Sequence, residues 1–196
     1  RTFQVALGGR GDPDMHEDFE KIISYAREHD VVPNFTTSGF GLEEHQIPLI
    51  KEYCGAVAVS WYRNSYTKRA VEMFLDAGIK TNIHYCLSAA TIDEAIDMME
   101  SKLYPQGINR LIFLLHKPVG LGTWDNVLST KDSRANRFFS LFDSKEHADK
   151  AGFDSCSVPA LLQYTKNIHP YCIEPCEAGR FSAYISPDMK LWPCSF

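Results

Sequence analysis

The chain has 196 residues, 44% of them apolar, and a net charge of −5. That length suits one domain, or one domain plus a small appendage, with enough apolar residues for a substantial core. No basic run, no apolar stretch long enough to span a bilayer and no signal-peptide pattern occur, so a cytoplasmic protein with neither a nucleic-acid nor a membrane partner is expected.

The apolar run Phe3, Val5, Ala6 and Leu7 reads as a buried strand that breaks into Gly8-Gly9-Arg10-Gly11-Asp12-Pro13. Glycines at the end of a strand let the backbone approach a ligand and expose its N–H groups. Asp14 and Glu17 have the spacing of a capping box, and Phe19, Ile22, Ile23 and Ala26 form one apolar stripe. A strand over 31–35 ends in Thr36-Thr37-Ser38-Gly39. A helix over about 42–53 follows, and Ala56–Trp61 is a third strand with Ser60 near its end.

The spacing predicts a third helix over 66–77, closed by Gly78, then a strand over 79–85 carrying Asn82 and His84. Thr91 and Glu94 open another helix with Ile92, Ala95, Ile96 and Met99 inward, and Leu111–Leu115 is the most apolar strand. It runs into His116-Lys117-Pro118-Val119-Gly120-Leu121-Gly122. Five strands alternating with helices imply a parallel α/β sheet, either doubly wound or part of a (β/α) barrel. Function then gathers at the C-terminal strand ends, where Gly8–Pro13, Thr36–Gly39, Ser60, Asn82 with His84, and His116 with Lys117 all lie. Turn and cap chemistry accounts for part of this enrichment.

After Gly122 the character changes. One helix is expected around 134–147, then a mostly apolar run over 158–162, then a hairpin in which Phe181, Ala183 and Ile185 alternate and Leu191 begins the return. Cys54 and Cys86 read as buried small hydrophobes. Cys172, Cys176 and Cys194 could be brought together by the hairpin as thiolate ligands, with Cys156, His169 or a residue beyond Phe196 as the fourth.

Taken in this order, the motifs resemble the radical SAM superfamily, specifically members with a SPASM or twitch-type C-terminal extension. Gly8-Gly9-x-Gly11-Asp12-Pro13 is similar to that family's glycine-glycine-glutamate-proline loop, with Asp12 for the usual glutamate. Thr36-Thr37-Ser38-Gly39 resembles its threonine-asparagine-glycine turn, with Ser38 for the usual asparagine. His116–Gly120 is similar to the end of the sixth barrel strand. Cys176-Glu-Ala-Gly, Ser-Pro-Asp-Met and Trp-Pro-Cys194 resemble the first half of the SPASM pattern, with Met189 where glycine is usual.

The resemblance implies a partial (β/α) TIM-like barrel, strands 2–6, over residues 1–122, and an incomplete cysteine-rich hairpin extension over 123–196. It implies S-adenosylmethionine (AdoMet) bound by Gly8, Gly9, Gly11, Asp12 and Pro13, with Ser60 at the ribose and Leu114 and Leu115 beside the adenine. Thr37, Ser38, Asn82, His84 and Lys117 complete the expected cofactor or substrate surface. The family's catalytic 4Fe–4S cluster sits in a CxxxCxxC loop that this sequence lacks, and Cys172, Cys176 and Cys194 would hold an auxiliary 4Fe–4S cluster. The abrupt ends at Arg1 and Phe196 read as a portion of a longer protein, inactive alone. Its parent would cleave AdoMet to a 5′-deoxyadenosyl radical that abstracts hydrogen, with a peptide or protein as substrate. The exposed parallel edge at 3–7 would invite a homodimer. Two other readings stand beside this one: a binding module with a zinc hairpin, and an aldolase-like barrel enzyme with Lys117 as amine and His84 as acid or base.

Overall fold

The computed structural model describes residues 2–195; Arg1 and Phe196 lie outside the described residues. One sheet holds six parallel strands in chain order, β1 Gln4–Leu7, β2 Val32–Thr37, β3 Val57–Ser60, β4 Thr81–Leu87, β5 Arg110–Leu115 and β6 Ala151–Phe153. Helices alternate with them, α1 Phe19–Glu28, α2 Ile47–Tyr53, α3 Ser65–Asp76, α4 Ile92–Glu100 and α5 Ser133–Ser140, the last followed by α6 Lys145–Lys150. The expected α/β partial barrel is therefore present, as an open sheet with β1 and β6 at its ends. β6 is additional to the five expected strands, being too short for an alternation to show. Among the described residues no helix is long and apolar enough to cross a membrane.

The chain forms two compact units, Arg1–Tyr85 with Tyr104–Ile112, and Cys86–Leu103 with Phe113–Phe196. In the first, strand alternation sends Phe35, Val57, Val59, Ile83 and Leu111 into a core shared with Phe19 and Ile23 of α1, Ile50 of α2 and Val71 and Phe74 of α3. Phe19 and Phe74 meet Phe35 edge-on, with ring centroids 5.0 and 6.3 Å away. β1 pairs with β2 from Gln4↔Val32 to Leu7↔Phe35 and has one partner only, so Phe3 beside it is 74% exposed where a buried strand was expected. The capping box at Asp14 does not form. Pro13–Met15 is a separate 3-10 turn, His16 is extended, and α1 starts at Phe19. α3 is capped by Asn64, whose side chain accepts the Thr67 N–H at 2.9 Å, and ends at Gly78 with φ of 71°.

The second unit is built on aromatic rings. Phe113, Phe138, Phe139 and Phe142 are at most 2% exposed, and Phe153 of β6 stacks against Phe113 with centroids 5.6 Å apart. α4 buries Ile92, Ala95, Ile96, Met98 and Met99. The single helix expected over 134–147 is broken, because Ser144 is extended and the Asp143 carboxylate accepts the Lys166 and Asn167 N–H groups at 2.7 and 2.8 Å. The apolar run after Ser157 is α7, Val158–Tyr164. The hairpin is present in short form, β7 Tyr184–Ile185 antiparallel to β8 Leu191–Trp192, turned by Ser186–Met189.

Candidate functional site

Parallel α/β sheets place their sites at the C-terminal strand ends, where loops of different strands converge. After β1 the chain opens into a glycine loop. Gly9 and Gly11 have φ of 138° and 91°, and a Cβ built on Gly8, Gly9 or Gly11 would meet nothing within 4 Å. Among the described residues, the Gly9, Arg10 and Gly11 N–H groups reach no backbone acceptor. The loop thus presents bare backbone donors, the arrangement that receives an anionic or strongly accepting group.

Its far end is tied down. The Asp12 carboxylate accepts the Ser38 N–H at 2.8 Å through Oδ1 and the Ser38 hydroxyl at 2.5 Å through Oδ2. Pro13 then starts the 3-10 turn, which suits its fixed φ. The turn after β2 is rigid for its own reasons. Thr37 is fully buried and its Oγ1 accepts the Gly39 N–H at 2.9 Å. The Ser38 carbonyl accepts the Thr67 hydroxyl at 3.1 Å. Gly39 has φ of 82°, and a Cβ there would fall 2.4 Å from Ala70 Cβ, so only glycine fits against α3.

Alternation puts Asn34, Thr36, Ala58, Ser60, Asn82 and His84 on the sheet face opposite the helix-packed core. Ser60 pairs with His84 across β3 and β4, both half-buried. Burial holds the His84 pKa below the usual 6.5, which favours the neutral imidazole. Asn82 is differently placed from expectation. β4 runs on to Leu87, so Asn82 lies near its N-terminal end, where its Oδ1 accepts the Asn109 amide at 2.7 Å.

In the second unit, Leu115 ends β5 and its carbonyl accepts Lys117 Nζ at 3.1 Å. Lys117 also forms an ion pair of 2.6 Å with Asp154, each side chain 17% exposed. The Ser157 hydroxyl donates to the other Asp154 oxygen at 2.7 Å. Asp154 and Ser157 escape a sequence reading because β6 is three residues long. The available signal was Ser157-Val158-Pro159, a helix-start pattern. Cys86 is exposed rather than buried, since it shares the half-open face of β4 with His84. Its thiol is nonetheless partly desolvated, which raises its pKa, and Lys117 partly offsets the rise.

Lys117 is engaged by both a carboxylate and a carbonyl, so the amine that an aldolase-like reading needs as nucleophile is already occupied in this arrangement. The expected cluster site also does not assemble. Among the described residues no three His, Cys, Asp or Glu side chains come together as a metal-binding group. Cys172 is exposed in a 3-10 turn with its N–H on the His169 carbonyl at 2.8 Å. Cys176 is exposed and Cys194 half-buried, flanking a hairpin with two paired residues per strand. In this arrangement Cys172, Cys176 and Cys194 do not form such a group among the described residues.

Fold and strand ends together define an open α/β sheet with an open glycine loop after its first strand. No family model matches the chain, and no curated protein sequence matches it. Solved structures do. Native anSMEcpe with bound AdoMet and Cp18Cys peptide superposes with a TM-score of 0.66 at 16% identity, covering 98% of this chain and 60% of that one. SuiB of Streptococcus suis bound to precursor peptide SuiA gives 0.65 at 13% identity, over 97% and 48%. Native anSMEcpe with AdoMet and Kp18Cys peptide gives 0.59 at 17% identity, over 82% and 53%. The chain spans about half the length of these proteins and shares their fold.

Proposed function

We propose that this chain is the AdoMet-binding part of a radical SAM enzyme that acts on a peptide or protein. The observation that carries the reading is the glycine loop after β1, open along Gly8–Gly11 and clamped through Asp12 to Ser38. Its presence in a fold shared with structures that hold AdoMet and peptides supports the assignment.

The residues fit that cofactor. The bare N–H groups of Gly9, Arg10 and Gly11 suit the carboxylate and main-chain end of a methionine moiety, and no side chain obstructs the approach. Asp12 orients the loop rather than standing free, because Ser38 occupies both its oxygens. Ser60 and neutral His84 offer a hydroxyl and an imidazole to a polar ligand on the open sheet face, and Leu115 offers apolar surface. Bound together with a reducing 4Fe–4S cluster, AdoMet supplies a 5′-deoxyadenosyl radical for hydrogen abstraction. The chain's residues bind, orient and shield. Cluster ligands are to be sought outside these 196 residues, because no CxxxCxxC occurs in them. Residues 1–122 would form the barrel part and 123–196 the extension.

The test uses the full-length protein, purified without oxygen and reconstituted with iron and sulfide. 5′-Deoxyadenosine formed with a reductant, and lost in Gly9→Val, supports the reading. A protein that takes up iron and sulfide yet neither binds nor cleaves AdoMet overturns it. The chain alone is expected to make none.

A further inference from the structure

Asp14 plays no part in the reading above, yet it is the one acidic side chain among the described residues that is buried, at 3% exposure. It is the middle residue of the Pro13–Met15 turn, directly behind the glycine loop. Neither carboxyl oxygen reaches a hydrogen-bond partner. An isolated carboxylate in such a place is strongly disfavoured, so the proton is favoured there.

The backbone around it is held on all sides. Gln46 Nε2 donates to the Asp14 carbonyl at 2.8 Å. The Met15 and His16 N–H groups donate to the Asp12 and Pro13 carbonyls at 3.1 and 3.0 Å. The Met15 side chain presses on Gly41, where a Cβ would fall 2.5 Å from its Cγ. Asp14 therefore reaches water only if the turn lifts.

The groups facing it offer an anion little help. Asp12, on the same loop, repels it. From β2 the Thr37 hydroxyl partly favours it, without reaching hydrogen-bond geometry. The 3-10 turn Glu44–Gln46 presents neutral Gln46, already engaged, and α1 adds no charge that acts on it. Burial, the largest effect, raises its pKa from the usual 3.8.

We propose that Asp14 is a proton-operated latch on the glycine loop. With the carboxyl protonated the Pro13–Met15 turn stays docked. Ionisation drives the side chain toward water, lifts the turn and loosens the Asp12–Ser38 clamp. The latch is a property of this chain; only its consequence, weaker AdoMet binding as pH rises, rests on the proposed function.

Hydrogen exchange at the Ser38 and Met15 amides, corrected for intrinsic rates, tests it on the chain itself. Protection is expected to fall as pH rises from about 3.8 and to level off once the docked carboxyl has titrated. Each unit by which the docked pKa exceeds the exposed one appears as about a tenfold loss. In Asp14→Asn the profile is expected to be flat. Should that variant not fold, Thr37→Val with native Asp14 extends the fall to higher pH and deepens it, with the onset unchanged. Carbon-13 spectra of the wild-type carboxyls give the docked pKa without any substitution. A flat wild-type profile, an unchanged fall in Asp14→Asn, a fall no deeper in Thr37→Val than in the wild type, or an Asp14 carboxyl titrating near 3.8 would overturn the latch. A chain that shows the fall but takes no AdoMet supports the latch and removes only the cofactor reading.

Discussion

The two units finish their strand ends in opposite ways. In the first, the loop after β1 leaves backbone donors bare and spends its carboxylate, Asp12, on holding the loop to β2. In the second, the charged side chains at the end of β5 and β6 are spent on each other, Lys117 on Asp154 and Ser157 behind it. Unsatisfied hydrogen-bonding capacity marks a place where a ligand can gain free energy, while a closed ion pair marks a place already satisfied. Residue types alone would rank the second cluster higher, because it carries the charges.

The sharpest way to break that comparison is through glycines. Gly39→Ala puts a methyl against Ala70 at a φ of 82° and is expected to cost about 3–4 kcal/mol in chemical denaturation. Gly8→Ala meets nothing within 4 Å and is expected to shift stability by less than about 0.5 kcal/mol while weakening AdoMet binding of the full-length protein. Equal stability losses at both positions would show that the loop is not open.

Next in size, Lys117→Met leaves Asp154 mostly buried without its cation. A loss of about 2–3 kcal/mol is expected by urea melts, somewhat below a fully buried pair. An unchanged midpoint would mean that Lys117 is free for chemistry. Ser38→Ala removes one charge-assisted bond to Asp12 but keeps the backbone bond, so about 1.5 kcal/mol is expected, with faster exchange of the Met15 amide.

The smallest effect is a pH dependence at His84. Its folded pKa lies below the unfolded 6.5, so the unfolded chain binds more protons in that interval. Stability is fully present above 6.5 and falls as pH drops below it through the folded pKa. His84→Gln is expected to remove this part of the curve in melts taken from pH 8 to 5, and an unaltered curve would place the imidazole in water.

Much of the fold could be read before the structure. Period-2 and period-3.6 runs of apolar residues mark β2 to β5 and α1, α3 and α4, because those elements bury one face each and the pattern repeats along them. The glycine loop, Thr37, Ser38, Ser60 and His84 were also legible, as small or polar residues where apolar strands stop. The register at β4 was not. Thr81–Leu87 extends two residues beyond the predicted end, which carries Asn82 away from the strand end and brings Cys86 onto the half-open face. The thiol set Cys172, Cys176 and Cys194 was expected from the hairpin, and how a 3-10 turn lies against a hairpin of two paired residues per strand is not written in either segment's sequence.

The amino-acid sequence by itself determined the alternating α/β plan and the loops that carry polar residues, since these follow from local periodicity and from backbone conformations that glycine and proline permit. Only the tertiary structure decided which polar groups are consumed and which are left over. The Ser38 bonds to Asp12 span 26 positions and the Lys117–Asp154 pair spans 37. Asp14, one residue in a short turn, meets Thr37 and Gln46 from two distant segments. Burial and pairing are sums over neighbours far along the chain, so no window of sequence contains them.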